Sequence, residues 1–359
     1  MKKKRVLLIC SIAFIIIVGI IAAVLIAGGD KFPTEGDCRW TGWSTDGVGV
    51  YGEKSLFTRS CLDCGAVQEY YVSPCEHITV SEDNDGYGVI KGTSDCDCRF
   101  LYLKSEAPDG KEIKTIGEGA FLDRTDVKYI YVENGITVLE NAAFAGCNEL
   151  LSSVLPESVE VMDGLTYYEC NKLYSANVPE KVKSLGEFTF GGCTSMKNVE
   201  IPSGVSEIED GCFVNCVGME EITLPESVKK LGKLIFAGCE NLKSITMPGV
   251  EGTIQRETFA GCIALTEFRI PDGVDTIVCG AFLNCAGLEK LYIPIGVTVL
   301  EFEEGESPFP GCDEKKLTVF CQAEKAPEKW LEGYDICNYI EKEDETEPVR
   351  LKFVFGAEF

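Results

Sequence analysis

Residues 236–259 read FAGCENLKSITMPGVEGTIQRETF: an aromatic ring, a Gly-Cys pair two residues on, a short alternating run that ends at Pro248, and a return to an aromatic ring. The pattern recurs every 23 residues without insertion or deletion. Each unit is too short to bury its own apolar face, so the period predicts stacked coils of a solenoid. The aromatic column consists of Phe121, Phe144, Tyr167, Phe190, Phe213, Phe236, Phe259 and Phe282.

The run before each proline alternates in polarity. Ile245 and Met247 are apolar around Thr246, and Phe268 and Ile270 flank Arg269. This period of two predicts a short strand with one buried face. Because every coil repeats the pattern in register, we expect a parallel sheet with a rise of about 4.8 Å per coil.

Three further columns complete the predicted coil. Gly or Asn stands two residues after most aromatics, which predicts left-handed backbone at the end of a short helical or 3-10 turn. Asp123 and Glu169 take this position in two coils, which we expect to be the least regular. The aromatic column predicts a spine of stacked rings. The repeated cysteines, Cys147 to Cys285, predict buried free thiols, since identical side chains in a parallel stack point the same way.

These residues resemble the BspA-like leucine-rich repeats. The resemblance is carried by Ile116–Phe121 and by Phe259-Ala260-Gly261-Cys262 with its following Leu265, Phe268, Ile270 and Pro271. It implies an α/β-type leucine-rich repeat solenoid. The family consists mostly of surface proteins of bacteria and some parasitic protists, so the resemblance implies attachment or protein recognition without catalysis. It identifies no partner.

The solenoid is predicted to span residues 81–340, with a cap at each end. Residues 86–116 have the pattern of a degenerate entry coil with a longer turn. After Leu300 the period slips by four residues. The strand-like runs Ile336–Ile340 and Val349–Phe355 flank an acidic stretch and are expected to form a closing hairpin. Residues 341–359 thus form an acidic tail with a capping strand.

The chain begins with a basic cluster, Lys2–Arg5, followed by 22 uncharged residues from Val6 to Ala27. That length predicts a transmembrane helix, and residues 1–29 form a cytoplasmic end with its anchor. A cleavable signal peptide is the alternative, but Leu25 and Ile26 crowd the cut site at Ala27. Since basic flanks stay in the cytoplasm, the rest of the chain is expected at the cell surface.

Residues 30–80 differ in composition and predict a small Trp/Cys module. Cys61-Leu62-Asp63-Cys64-Gly65 has the form of a zinc knuckle, and Cys38 and His77 would complete a Cys3His site. Two disulfides among Cys38, Cys61, Cys64 and Cys75 are equally natural in a small exported domain, and free thiols are a third possibility. The resemblance adds some weight to zinc, because similar short modules often precede these repeats.

Charge and composition exclude several functions. Beyond residue 27 the chain holds 29 basic against 58 acidic residues, a field that repels phosphate backbones, so no nucleic-acid partner is expected. The sole histidine, His77, lies outside the repeats, which excludes Ser-His or Cys-His nucleophile pairs there. Two interpretations remain: a surface protein that binds a protein or other surface ligand, and a structural envelope protein without a specific ligand.

A ligand-binding surface is predicted on the outward side of the sheet. Residues between the inward strand positions change from coil to coil, whereas the aromatic and proline columns repeat. Variation where the fold makes no demand leaves freedom to specify a ligand, and Tyr and Arg are common interface anchors. The candidates are Tyr129, Tyr131, Asn177, Glu200, Arg269, Lys290 and Tyr292.

The predicted topology can be tested with protease. Protease added to intact cells should remove the repeat domain and leave a short membrane-bound fragment, because only residues 1–29 are expected inside or within the bilayer. Immunoblotting of the fragments measures this. A repeat domain that stays protected until the cells are lysed would contradict the predicted orientation.

Overall fold

A computed structural model describes residues 50–51, 54–60, 67–72, 78–93, 99–301, 309–313, 315–323 and 352–359. Within these residues the chain forms strands and turns and no helix. The solenoid lies within residues 69–359. The strands are β1 (Val50–Tyr51), β2 (Lys54–Ser60), β3 (Val67–Val72), β4 (Ile78–Glu82), β5 (Gly88–Thr93), β6 (Phe100–Leu103), β7 (Ile113–Ile116), β8 (Tyr129–Val132), β9 (Val138–Leu139), β10 (Ser152–Val154), β11 (Val161–Met162), β12 (Ser175–Ala176), β13 (Ser184–Leu185), β14 (Glu207–Ile208), β15 (Glu221–Thr223), β16 (Lys230–Leu231), β17 (Ser244–Thr246), β18 (Glu251–Ile254), β19 (Glu267–Arg269), β20 (Gly273–Ile277), β21 (Lys290–Ile293), β22 (Val299–Leu300), β23 (Thr318–Cys321) and β24 (Lys352–Phe355).

Most coils contribute strands to two parallel sheets, not one. The first sheet holds the predicted strands in three hydrogen-bonded segments, β6-β8-β10-β12, β15-β17 and β19-β21-β23-β24. The second sheet comes from the latter half of each coil, in the segments β4-β5-β7-β9-β11, β13-β14-β16 and β18-β20-β22. Partners within both sheets stand one period apart, as Thr223 with Thr246 and Glu207 with Lys230. The predicted solenoid of 23-residue coils with parallel sheets is confirmed.

The third side of each coil is a series of single turns where a short helical or 3-10 turn was predicted, and these turns do not extend into a helix. The Phe236 N–H donates to the Thr258 carbonyl of the next coil at 2.9 Å, and the Gly238 N–H donates to Ala260 at 2.7 Å. An α-helix would direct these N–H groups to carbonyls of their own coil. The prediction of a short helix was wrong, because these bonds between coils alternate with single turns within a coil, as from the Cys239 N–H to the Phe236 carbonyl at 3.1 Å, and the described residues form no helix there.

Left-handed residues shape this turn. The predicted Gly/Asn column has positive φ, for example 74° at Gly238 and 55° at Asn215. Asp123 and Glu169 adopt the same conformation, each with φ 57°, so their coils follow the rule that their residue types were expected to break. A second left-handed column, which we did not predict, precedes each aromatic by two residues: Gly119, Ala142, Leu165, Phe188, Gly211, Leu234, Glu257 and Gly280.

The aromatic column forms the predicted spine. Consecutive rings from Phe121 to Phe282 stack with centroids 5.0–5.9 Å apart and planes within 20°. Every ring in the column is buried. Each fully buried ring contributes on the order of 2–3 kcal/mol through removal of apolar surface from water.

The cysteine column adds a ladder of thiol hydrogen bonds. Each thiol Sγ lies 3.0–3.3 Å from the carbonyl oxygen of the aromatic residue in the preceding coil, as Cys262 does to Phe236. Burial raises the pKa of Cys239 to about 12, so this thiol keeps its proton and remains a donor at neutral pH. The thiols of the column are buried and free, as predicted. The donors are Cys147, Cys170, Cys193, Cys216, Cys239, Cys262, Cys285 and Cys312.

One coil replaces phenylalanine in the spine with Tyr167, whose hydroxyl must find a buried partner. Ser153 supplies it, with the two oxygens 2.7 Å apart. Ser153 stands in an inward strand column where β8 and β15 carry Ile130 and Ile222. The smaller side chain therefore gives the tyrosine hydroxyl both room and a hydrogen-bond partner.

Both ends of the solenoid continue its sheets. The entry coil contributes β5 and β6, with Ile90 paired to Ile116 and Leu101 to Ile130. Antiparallel β4 borders β5. At the other end β24 pairs in parallel with β23, Phe353 beside Val319. The closing strand is thus one more parallel strand of the first sheet, while the expected partner run Ile336–Ile340 lies outside the described residues.

The spine predicts a large difference between two neighbouring substitutions. Phe236→Ala should lower the free energy of unfolding by about 3–5 kcal/mol because it leaves a cavity between stacked rings. The exposed Thr246→Ala, in the same coil, should change it by less than about 0.5 kcal/mol. Chemical denaturation measures both, and equal midpoints would contradict the assigned register.

The buried hydroxyl pair predicts non-additive substitutions. Tyr167→Phe and Ser153→Ala should each cost about 1–3 kcal/mol, because each leaves the other hydroxyl buried without a partner. The double variant should cost less than the sum of the two single variants, by about 1 kcal/mol or more. A double-mutant cycle by denaturation measures the coupling, and strictly additive losses would show that the hydrogen bond contributes nothing.

Candidate protein-recognition surface

The outward side chains of the first sheet form two columns that change along the solenoid. In the central coils one column passes from Asn198 through Glu221 and Ser244 to Glu267 and Lys290, all exposed. The other holds Glu200, Thr223, Thr246, Arg269 and Tyr292. The inward residues of the same strands are nearly all apolar. The fold therefore fixes the inward positions and leaves the outward positions free to differ.

Four side chains near the C-terminal end of this face make contact, and we call them the aromatic–arginine cluster: Arg269, Tyr292, Phe320 and Phe359. The Arg269 guanidinium carbon lies 4.2 Å from the centre of the Tyr292 ring. Tyr292 stacks on Phe320 with centroids 5.0 Å apart and meets Phe359 edge to face at 5.0 Å. Arginine over a ring face is a favourable cation–π contact.

Charged neighbours hold the cationic side of this cluster. Glu267 lies 3.9 Å from Arg269 and 3.8 Å from Lys290, so one carboxylate faces two cations. All three side chains are about half exposed, which limits the energy of each exposed pair to about 0–1 kcal/mol. Their effect is to orient Arg269 over Tyr292 while leaving Lys290 accessible.

A groove of about 570 Å³ lies beside the cluster, between β17 and β19. The ladder of the first sheet is interrupted here, in the continuously described stretch 99–301. At this interruption Phe268 places a ring where the adjacent coils have Ile245 and Leu291. The centroid of the Phe268 ring lies 4.9 Å from the centroid of the Phe259 ring and 5.7 Å from that of the Phe282 ring. The groove walls include Ser244, Thr246, Glu267 and Arg269.

The predicted anchors at the other end of the face are less accessible. Tyr129 is 1% exposed, so the prediction that it stands free on the outward face was wrong. Its ring lies 5.8 Å from Phe100. Tyr131 is half-buried against Tyr102, with ring centroids 5.6 Å apart. Burial, and then the charge of Glu133, raise the pKa of Tyr131.

Asn177 and Glu200 have different roles. The Asn177 side chain accepts from the Leu155 N–H at 2.8 Å and donates to the Leu155 carbonyl at 2.8 Å. It thus substitutes for a backbone partner and joins two coils, which explains its residue type without a ligand. Glu200 is exposed on the face. The structure brings together only Arg269, Lys290 and Tyr292 from the predicted set.

A second groove, of about 760 Å³, lies on the second sheet and is rich in carboxylates. Burial, and then the charge of Glu187, raise the pKa of Glu209 there. Lys229 pairs with Glu251 at 2.7 Å, so cations already offset part of this charge. The groove lacks the combination of rings and cations found on the first sheet.

Other predicted features lie outside the described residues. These are Cys38, Cys61, Cys64 and His77 of the predicted zinc site, and the predicted membrane span 6–27. Strand β2 ends at Ser60, just before Cys61, and strand β3 begins at Val67, after Cys64. In the described part of the chain, no group of three or more His, Cys, Asp or Glu residues is placed to hold a metal ion. No helix in that part is long and apolar enough to cross a bilayer.

Sequence reasoning missed two members of the cluster. Phe320 was not among the predicted anchors, although it stands between the inward-facing residues Val319 and Cys321. That alternation was a usable signal. Phe359 gave no signal of its own, because its position depends on where β24 pairs.

Comparison with known families assigns the fold. The model of the BspA type leucine rich repeat region matches residues 104–217 and 183–316, with six copies of the repeat. Together the two ranges cover more than half of the chain. The chain therefore belongs to the BspA-type leucine-rich repeat family, as its resemblance predicted. A search of curated proteins returned no match.

Several solved structures are similar to this chain. A leucine-rich repeat protein of T. pallidum is 23% identical with a TM-score of 0.49, covering 54% of this chain and 90% of its own. A leucine rich cell surface protein from Faecalibacterium prausnitzii is 17% identical with a TM-score of 0.34. The match covers 71% of this chain and 95% of that protein. The pneumococcal vaccine antigen PcpA is 18% identical with a TM-score of 0.37. The match covers 63% of this chain and 72% of PcpA.

Proposed function

We propose that this chain is a membrane-anchored cell-surface protein that recognises another protein, or adheres to it, through the outward face of the first sheet. The observation that carries the proposal is the group formed by exposed Arg269 and Lys290 and half-buried Tyr292 on the outward face, where the fold does not dictate the residue type. Proteins with this kind of stacked sheet expose a long continuous surface suited to binding.

The composition of this group favours a protein ligand. Tyrosine and arginine dominate the energetically important positions of protein interfaces, because they combine a large contact area with directed polar groups. Arg269 and Tyr292 are already in contact, so little side-chain freedom is lost when a partner covers them. The neighbouring groove between β17 and β19 supplies a recess beside these anchors.

Charge supports the proposed partner class. A chain with this net negative charge repels nucleic acids, and Arg269 and Lys290 with the single carboxylate of Glu267 leave a small net positive charge on this part of the face. Such a patch favours a partner that presents carboxylates together with an aromatic or apolar residue. The repeats carry no histidine for nucleophilic catalysis, which is consistent with a binding role.

Substitution of the face tests this proposal. The triple variant Arg269→Ala, Lys290→Ala, Tyr292→Ala should lose at least about tenfold of its affinity for surface proteins retained by the native chain, since several anchors are removed at once. Retained proteins are identified by mass spectrometry, and the affinity of each is then measured with the purified protein.

The matched control lies on the second sheet side. Lys183→Ala, Lys230→Ala and Val161→Ala also remove two cations and one exposed apolar side chain. This control should bind as the native chain does. Equal retention by native, face and control variants would contradict recognition through this face, and a native chain that retains nothing would favour a structural envelope protein without a specific ligand.

A further inference from the structure

Phe359 lies on the proposed recognition face. After β24, Gly356 has φ 70°, a left-handed conformation that reverses the chain direction. The Gly356 N–H then donates to the Ala323 carbonyl at 2.9 Å and the Ala357 N–H to Cys321 at 3.1 Å. This path brings the Phe359 ring edge to face with Tyr292 and 5.5 Å from the Arg269 guanidinium carbon.

Three successive strands build the place that Phe359 occupies. Arg269 comes from β19, Tyr292 from β21 and Phe320 from β23, so neighbouring coils set their spacing. Phe320 stacks on Tyr292 and supports it from one side. Edge-to-face packing on the tyrosine and a guanidinium beside the incoming ring are two interactions that select an aromatic side chain over an aliphatic one.

The final four residues are held more weakly than the strand before them. Within the described contacts, Gly356–Phe359 make two backbone hydrogen bonds to other residues and place one ring that stays 36% exposed. In contrast, β24 pairs along its whole length with β23, and Phe353 and Phe355 pack against the core. The four-residue segment can therefore leave the face while β24 remains in place.

We propose that Arg269, Tyr292 and Phe320 form a binding subsite for an aromatic side chain, which Phe359 fills in the free protein and which a partner protein occupies with its own Phe or Tyr. This inference rests on the proposed function. It adds the kind of side chain that the partner inserts and the segment of this chain that competes with it. The segment Gly356–Phe359 competes with the partner for the subsite. The apparent affinity for the partner therefore equals the intrinsic affinity multiplied by the fraction of chains in which Phe359 has left the subsite.

A peptide copy of the C-terminal segment tests the subsite without knowledge of the partner. The probe is N-acetyl-Gly-Ala-Glu-Phe, and its binding to the full-length protein is measured by saturation-transfer NMR titration. The Phe359→Ala protein should bind the probe in about the millimolar range, as expected for a short untethered copy of a segment that normally binds in cis. The native protein should bind about tenfold more weakly, because its own Phe359 competes at high effective concentration.

Three controls make the outcome decisive. A probe that ends in Ala instead of Phe should not bind. In the Phe359→Ala background, Arg269→Gln should weaken binding of the original probe severalfold. Tyr292→Ala in the same background should weaken it about tenfold. Thermal melting confirms that each variant is folded, and Arg269→Gln alters only a half-exposed side chain. Equal binding to native and Phe359→Ala proteins, no binding to Phe359→Ala, or indifference to both subsite substitutions would each overturn the inference. The capture experiment is independent of these results, so failure of one proposal is distinguishable from failure of the other.

Discussion

Backbone hydrogen bonds between coils constrain this structure on three sides at once. Two parallel sheets and a ladder of turns each join a residue to one about a full period away, as Thr223 to Thr246 and the Phe236 N–H to Thr258. One added residue would move all later side chains of that coil out of register with the next. The constant 23-residue length follows from this requirement, and the four-residue slip in the sequence occurs only after Leu300, near the end of the array.

The turn ladder explains why the repeat contains cysteine. In the coils from Phe144 onward the aromatic residue is buried, and its carbonyl accepts from the cysteine N–H three residues on, as Phe236 does from Cys239. The carbonyl has a second lone pair, and the thiol of the following coil donates to it. Alanine would fit the space without supplying a donor, and serine would bring a more polar group into an apolar interior. A protonated thiol meets both requirements, since burial keeps its pKa high.

The sequence was sufficient for the features that repeat within one coil. The period, the aromatic spine, the first strand and the left-handed column at Gly238 all follow from local residue types. The second sheet was missed because a two-residue strand such as Val138–Leu139 has no alternation to detect. The turn was assigned as helical because residue types at Leu234 or Phe188 do not indicate a left-handed backbone, which packing between coils imposes here. Burial of Tyr129 and the position of Phe359 depend on contacts between distant parts of the chain, which one coil's pattern cannot contain.

The division of labour within each coil leaves the outward face free to take a function. Register, spine and thiol ladder are satisfied by inward side chains and by backbone, so a change at Arg269 or Lys290 has little effect on the stack. Asn177 shows the opposite case, because its side chain bonds to Leu155 in place of a backbone group and is held by the fold. The C-terminal strand β24 and the residues after it contribute both to the fold and to the outward face. β24 extends the first sheet as a structural element, and the segment after Gly356 turns back onto the variable face, so the end of the solenoid is also where the chain supplies a ligand for its own surface.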